Sequence, residues 1–227
     1  MFFSQLCGMI AGENFQGEYM KDKMMKKLIN ILFAAVCAVV VICLAVSITV
    51  WFRPLYYFDI DFLDIPVKSG IPAQICRTNY DILIDYNLIG GPDKLEFPNF
   101  IMSETGEIHF EEVKDIFIPM QWISLIGGAI IIGALLRWKE REWLHYSVVI
   151  TVAVALSVLA AVIIDWQWAF ETMHSIFFDN DYWIFDYRTD PIIMILPDRF
   201  FMHCGLMIIA IVVAVMTGFE IFYRKRR

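Results

Sequence analysis

Four long apolar runs govern what this chain can fold into: Leu28–Phe52, Ile116–Leu136, Tyr146–Ile164 and Phe200–Phe222. Each comes close to or exceeds the roughly 20 residues a helix needs to cross the hydrocarbon of a bilayer, and the middle of each is free of charge. Lipid offers no hydrogen bonds, so such runs satisfy their own backbone groups as helices. The rest of the chain agrees, with 59% hydrophobic residues and a mean hydropathy of +0.61, too apolar for a water-soluble domain. The expected fold class is a mainly α membrane protein with four transmembrane helices. The first run is too long for the apolar core of a cleavable signal, and no small-residue cleavage pattern follows it before Trp51-Phe52-Arg53-Pro54. It reads as an anchor.

Charge sets the expected orientation, because Lys and Arg collect on the cytoplasmic side of the spans. Lys21, Lys23, Lys26 and Lys27 precede the first run, Arg137, Lys139 and Arg141 separate the second from the third, and Arg224, Lys225, Arg226 and Arg227 follow the fourth. The other seven basic residues share the remaining segments with 19 of the 25 acidic ones, a net of about −12 on one side against about +5 on the other. The organisation that follows is a cytoplasmic tail (1–27), a first span (28–52), an extracytoplasmic segment (53–115), a second span (116–136) and a cytoplasmic loop (137–145). A third span (146–164), a second extracytoplasmic segment (165–199), a fourth span (200–222) and a cytoplasmic tail (223–227) complete it. Both termini are then cytoplasmic in a cell membrane. The basic clusters all flank membrane runs, so no nucleic-acid partner is expected.

The two extracytoplasmic segments are short and are expected to pack together as a small α+β cap. Phe58-Asp59-Ile60-Asp61-Phe62 alternates apolar and acidic residues, which suits a strand. Thr78 reads as the cap of a helix carrying Tyr80, Leu83, Ile84, Asn87 and Leu88 and ending at Gly90-Gly91-Pro92. Residues 95–102 and 108–110 flank Ser103-Glu104-Thr105-Gly106-Glu107, which reads as a hairpin turn. Cys76 and Cys204 both lie on the extracytoplasmic side, where a disulfide between them is sterically conceivable.

Of four histidines, His145 and His203 sit at span ends and read as interfacial residues. His109 precedes the second run and His174 follows the third. The link between those runs is short, so they are expected to pair antiparallel about 8–10 Å apart and bring both histidines to one site near the lipid headgroups. Two imidazoles suit general acid–base catalysis, since one ring accepts a proton while the other donates. There is no Gly-x-Ser-x-Gly elbow and no His-Glu-x-x-His spacing. Neither a covalent acyl-enzyme nor a metal site is expected, and no cofactor.

Two stretches carry a family resemblance. His174-x-x-Phe177-Phe178, Trp183, Phe185 and Asp190-Pro191-x-Ile193-x-x-x-Pro197-x-x-Phe200-Phe201 form the first. Tyr80-x-x-Leu83-x-x-Tyr86, Phe97-Pro98-x-Phe100, Ser103 and His109-Phe110-x-x-Val113-Lys114-x-Ile116-Phe117 form the second. Together they resemble the bacterial four-span membrane family that includes Lit, the lipoprotein intramolecular transacylase. The likeness runs from the first span to the fourth; residues 1–20 have no counterpart and read as a start-site extension.

The resemblance implies an acyltransferase that moves the sn-2 acyl chain of a diacylglyceryl lipoprotein to the α-amine of its N-terminal cysteine. The product is a lyso-form lipoprotein. Acid–base catalysis then falls to His109 and His174, while Asp190, Tyr86 and Ser103 either orient those rings as supporting residues or are a turn aspartate before proline, a buried tyrosine and a hairpin serine. His174 is favoured as base and His109 as the partner of the oxyanion or leaving group. Phe177, Phe178, Tyr182, Trp183 and Phe185 line an acyl-chain groove on this reading or form an ordinary interfacial aromatic belt. The expected partners are diacylglyceryl lipoproteins and membrane lipid. A membrane metallohydrolase and a non-enzymatic assembly factor are the alternative functions.

Overall fold

The structure, a computed structural model, describes the backbone of residues 2–225 and the side chains of residues 18–225. Arg226 and Arg227, counted above with the C-terminal tail, lie outside the described residues. The order of elements is α1 (Phe2–Trp51), α2 (Pro54–Phe62), α3 (Ile65–Ser69), α4 (Ala73–Tyr86), α5 (Glu104–Arg137), α6 (Glu142–Ile164), α7 (Trp166–Phe177), a 3-10 turn (Pro191–Ile195) and α8 (Asp198–Lys225). Four of these helices, α1, α5, α6 and α8, are long and apolar enough to cross a membrane.

The helix α1 is the axis of the bundle. In its most apolar stretch 44% of the residues are buried, against 11–17% in the other three, and its inward face is built from Ala34, Cys37, Ala38, Val41 and Ala45. Small side chains let neighbouring backbones approach closely, which is how helices gain contact where the solvent is itself apolar. One close approach is at Gly127 of α5, where a Cβ would lie 2.4 Å from Val40 Cγ2. Ser47 and Ser124 hydroxyls meet at 3.2 Å across the same seam. The outward faces carry Val36, Ile126, Ile130, Ile132, Val154, Leu156 and Val213, all exposed, as lipid-facing surfaces are.

The direct pairing expected between the second and third spans is not the main packing. The helix α5 packs chiefly on α1, while α6 packs on α1 and α8. A central helix covered by small residues offers both of them a closer seat than they offer each other.

The cap is helical, and no strand occurs among the described residues; the α+β expectation is corrected. Residues 58–62 belong to α2, with Pro54 preset at its start. Its buried face is Tyr56, Asp59 and Ile60, followed by Leu63, at helical spacing. The period-two reading had Phe58 and Phe62 inside and Asp59 outside. Both phenylalanines are instead exposed and stack on each other at 5.1 Å, and Asp59 is fully buried against His203, whose Nδ1 lies 2.8 and 2.9 Å from its two carboxylate oxygens.

The anticipated hairpin turn is the start of α5. Ser103 caps that helix, its Oγ accepting the Gly106 N–H at 3.0 Å, and Glu104 and Glu107 in the first turn favour the positive end of the helix dipole. Thr78 lies inside α4, which begins at Ala73 behind Pro72 and ends at Tyr86. Cys76 and Cys204 are free thiols.

The cap core is dense and aromatic. Tyr56 stacks on Tyr80 at 3.8 Å, meets the edge of Phe200 at 5.1 Å and donates its hydroxyl to Ile195 O at 2.9 Å. Buried Gln121 joins cap to bundle: its Nε2 donates to Asn87 O at 2.8 Å, and its Oε1 accepts from Ile89 N at 3.2 Å and Trp51 Nε1 at 3.3 Å.

Candidate active site where the cap meets the bundle

The helix α5 has 34 residues, about 51 Å at 1.5 Å per residue, well beyond the roughly 30 Å of a bilayer's hydrocarbon. Its excess is the charged beginning, residues 104–115, which carries Glu104, Glu107, Glu111, Glu112, Lys114 and Asp115 and so projects from the apolar stretch into the cap. His109 sits on this projecting part, 6% exposed.

His174 comes from α7. Asp165 ends α6 and caps α7, its Oδ1 accepting the Trp168 N–H at 3.0 Å, which turns the chain back against α6 and brings its last turn to α5. The two imidazole centroids stand 6.2 Å apart with their planes at 33°.

Residues 178–190 then wrap the head of α5. Phe178 and Phe185 meet the His109 ring edge-on at 4.8 and 5.5 Å, and Phe185 also stacks on Phe110 at 5.4 Å. Trp183 lies nearly parallel to His174 at 4.6 Å, and Phe170 contacts the same ring at 4.2 Å. Of the five aromatic residues singled out in the sequence, Phe178, Trp183 and Phe185 thus surround the imidazoles, whereas Phe177 and Tyr182 are exposed. Phe170 was not singled out; it lies one helical turn before His174.

An apolar enclosure disfavours the imidazolium form. Burial pushes His109 down to about 4, and the neighbouring His174 adds to the effect. Burial also lowers His174, against a smaller opposing pull from its bond to the Phe170 carbonyl. Both rings are therefore neutral near pH 7. The His174 tautomer follows from its partner: a carbonyl only accepts, so Nδ1–H donates to Phe170 O at 2.8 Å, and Nε2 carries the lone pair. His109 Nδ1 is buried and has no hydrogen-bond partner among the described residues.

The three polar residues marked in the sequence bond to groups other than the imidazoles. Asp190 is buried; its Oδ1 accepts from Ser103 N at 2.8 Å and Ser103 Oγ at 3.0 Å, and its Oδ2 from Thr189 Oγ1 at 2.7 Å. Asp190 and Ser103 therefore fasten the wrapping loop to the first turn of α5. Tyr86 is buried under Lys114, whose Nζ stands 4.1 Å above the ring and donates to Pro92 O at 2.6 Å. Its contact is with the flank of α5.

One carboxylate went unmarked. Glu112 follows His109 by three residues, a spacing that puts both on one side of the helix with Cβ atoms about 5–6 Å apart. Its Oε1 accepts from Asn180 Nδ2 at 2.7 Å, and Asn180 is itself oriented by the Tyr182 N–H, 3.0 Å from its Oδ1. Glu112 Oε2 is buried with no hydrogen-bond partner among the described residues. The i, i+3 spacing from His109 was the available signal, but a glutamate among several on a helix end reads first as a solvated charge.

Four apolar helices and a helical cap define an integral membrane protein, with a caged histidine pair at the junction of its two parts. The model of the family "lipoprotein intramolecular transacylase Lit" matches residues 31–201, and the chain belongs to that family. A solved structure of the membrane integral lipoprotein intramolecular transacylase Lit from Bacillus cereus is similar at a TM-score of 0.84 and 32% identity, covering 89% of this chain and 96% of that one. Two further structures of the Bacillus cereus protein, with one histidine replaced by arginine or by alanine, give TM-scores of 0.78 and 0.75 at 30% and 31% identity. They cover 93% and 90% of this chain and 96% and 94% of their own. Among curated proteins, a sequence search finds no match.

Proposed function

We propose that this membrane acyltransferase moves the sn-2 acyl chain of a diacylglyceryl lipoprotein from its glycerol oxygen to the α-amine of the same molecule's N-terminal cysteine. Family membership supports the reaction class. The observation that carries the assignment of residues is the pair of neutral imidazoles 6.2 Å apart in one aromatic cage.

With nucleophile and ester on one molecule, the enzyme's task is to fold that molecule into a reactive geometry and move protons. His174 Nε2 takes a proton from the α-amine as the nitrogen attacks the ester carbonyl. An N–H of neutral His109 stabilises the oxyanion. As the tetrahedral species collapses, the carbon–oxygen bond to glycerol breaks, and the proton held by His174 passes to that oxygen. An ester and an amine become an amide and an alcohol, with no external donor.

Asp190 and Ser103 act by holding the loop over the histidines, and Tyr86 by packing the end of α4 beneath Lys114 of α5. Phe178, Trp183 and Phe185 keep water from the reacting groups, while Phe177 and Tyr182 border the path of the acyl chains. The asymmetric distribution of Lys and Arg supports cytoplasmic termini, spans at 28–52, 116–136, 146–164 and 200–222, and a site level with the outer leaflet.

The test is to add unlabelled diacylated lipopeptide to the protein in vesicles of isotopically labelled phospholipid and read the N-acyl chain by mass spectrometry. An unlabelled N-acyl chain in a lyso-form product is the expected result. Label in that chain would mean transfer from bulk lipid, and absence of product would remove the reading.

A further inference from the structure

The cage leaves two buried polar atoms without partners on the same helix face, His109 Nδ1 and Glu112 Oε2. They share one cover. The loop that lays Phe178 and Phe185 on His109 also delivers Asn180 to Glu112. A carboxylate accepts through four lone-pair directions, and here a single neutral amide serves one oxygen.

No cation takes the other. Among the described residues Glu112 has no ion-pair partner, and Lys114, two residues on, is turned to Pro92 O and the Tyr86 ring. The imidazoles are neutral near pH 7 and bring no countercharge. An unpaired carboxylate shielded from water is costly unless a charged donor completes it.

Resting on the transacylase reading, the α-amino group at the substrate's reacting end is mostly ammonium near pH 7, with a reference pKa of about 7.7–8.0. It has three N–H donors. We propose that Glu112 Oε2 and His109 Nδ1 form the subsite that receives this α-ammonium, and that Asn180 holds the carboxylate in place for it. Two N–H groups occupy the two vacant acceptors, leaving the third for His174 Nε2. Once that proton has passed by way of His174 to solvent, the nitrogen lone pair is free to attack; His174 then takes a second proton as the carbon–nitrogen bond forms and gives it to the glycerol oxygen, while the hydrogen bond of the remaining N–H to Glu112 keeps the nitrogen oriented. With Nδ1 engaged as an acceptor, neutral His109 carries its proton on Nε2, available to the oxyanion. The subsite selects a free N-terminal amine over an acylated one by charge and donor count, and so separates substrate from product.

The experiment uses lipopeptides whose sn-2 chain is ether-linked, which cannot transfer it, in free-amine and N-acetylated forms. Affinities are measured for the wild type, Glu112→Gln and Asn180→Ala in detergent micelles. The wild type is expected to bind the free-amine form about tenfold more tightly, the scale of a charge-assisted hydrogen bond. Glu112→Gln keeps an oxygen for Asn180 and removes the charge, so the preference falls to about one- to twofold with unchanged affinity for the N-acetyl form. Asn180→Ala keeps the charge and a preference. Where Glu112→Gln does not fold, Glu112→Ala serves as the neutral variant.

Equal wild-type affinity for the two forms, or an undiminished preference in a folded neutral variant, overturns the subsite. A parallel assay of the wild type on the ester lipopeptide separates this from the reaction itself. Lyso-form product with no amine preference rejects only the subsite, whereas no product rejects the transacylase reading.

Discussion

Asp190 Oδ1 accepts both the backbone N–H and the hydroxyl of Ser103, at 2.8 and 3.0 Å. One buried carboxylate oxygen thereby ties the end of the wrapping loop to the residue that caps α5. The contact is tight enough to exclude a neighbouring methyl: a Cβ at Gly106 would stand 2.3 Å from the same oxygen.

Gly106→Ala is therefore expected to displace the Asp190 carboxylate, and Asp190→Ala to leave the Ser103 N–H unpaired. Each costs about 1–3 kcal/mol, the range for a lost partner of a buried or charged group. Thermal unfolding in detergent should show both losses. Lyso-form production should fall with them, because the same loop carries the aromatic cage.

His109→Ala and His174→Ala should each reduce lyso-form production by about 10²–10⁴-fold, the usual contribution of a general acid–base group. Both proteins should still insert and fold. Mass spectrometry of the lipopeptide N-terminus measures the loss, and an activity within threefold of wild type for either variant would contradict the mechanism.

The buried imidazole also makes stability depend on pH. His109 is held at about 4 in the folded protein, against about 6.5 when unfolded, so the unfolded chain binds more protons between these values. Stability then rises with pH through that window and levels off above 6.5 as far as this group is concerned. The swing is about 1–3 kcal/mol. Unfolding curves at pH 4.5 and 7.5 should show a smaller difference for His109→Asn than for wild type.

Trp183 stacks on His174 at 4.6 Å. Trp183→Ala should cost about 1 kcal/mol of positioning, or five- to tenfold in rate, from the lost aromatic pair. Trp183→Phe should recover most of it. Equal rates for the two variants would show that the indole does not orient His174.

Removing His203 strands the fully buried Asp59. His203→Ala should lower stability by about 1–3 kcal/mol, the range for leaving a buried acceptor without its hydrogen-bond partner. The folded fraction should keep its specific activity within about twofold. His145 faces Glu220 at 3.1 Å and stacks on Tyr223 at 5.4 Å at the opposite end of the bundle. His145→Ala should cost about 0–1 kcal/mol and leave activity unchanged.

The four spans were legible in the sequence because crossing a bilayer is a one-dimensional requirement: enough consecutive apolar residues. The two histidines were also legible, since each lies a few residues beyond an apolar run. The cap was not. Phe58 to Phe62 alternates like a strand, yet exposed phenylalanines are tolerated at the edge of an apolar bundle, and Asp59 is drawn inward by a histidine 144 residues away in sequence. Ser103 to Glu107 has the composition of a turn, but the same residues cap a helix, and the Asp190 carboxylate against Gly106 belongs to that second role. Glu112 could not be separated from its charged neighbours until Asn180 was seen to hold one oxygen and leave the other buried. Sequence carries local propensity and spacing, whereas burial and partner choice arise from contacts between segments far apart in the chain. Only the folded structure decides which polar groups lose water and which are paired when they do.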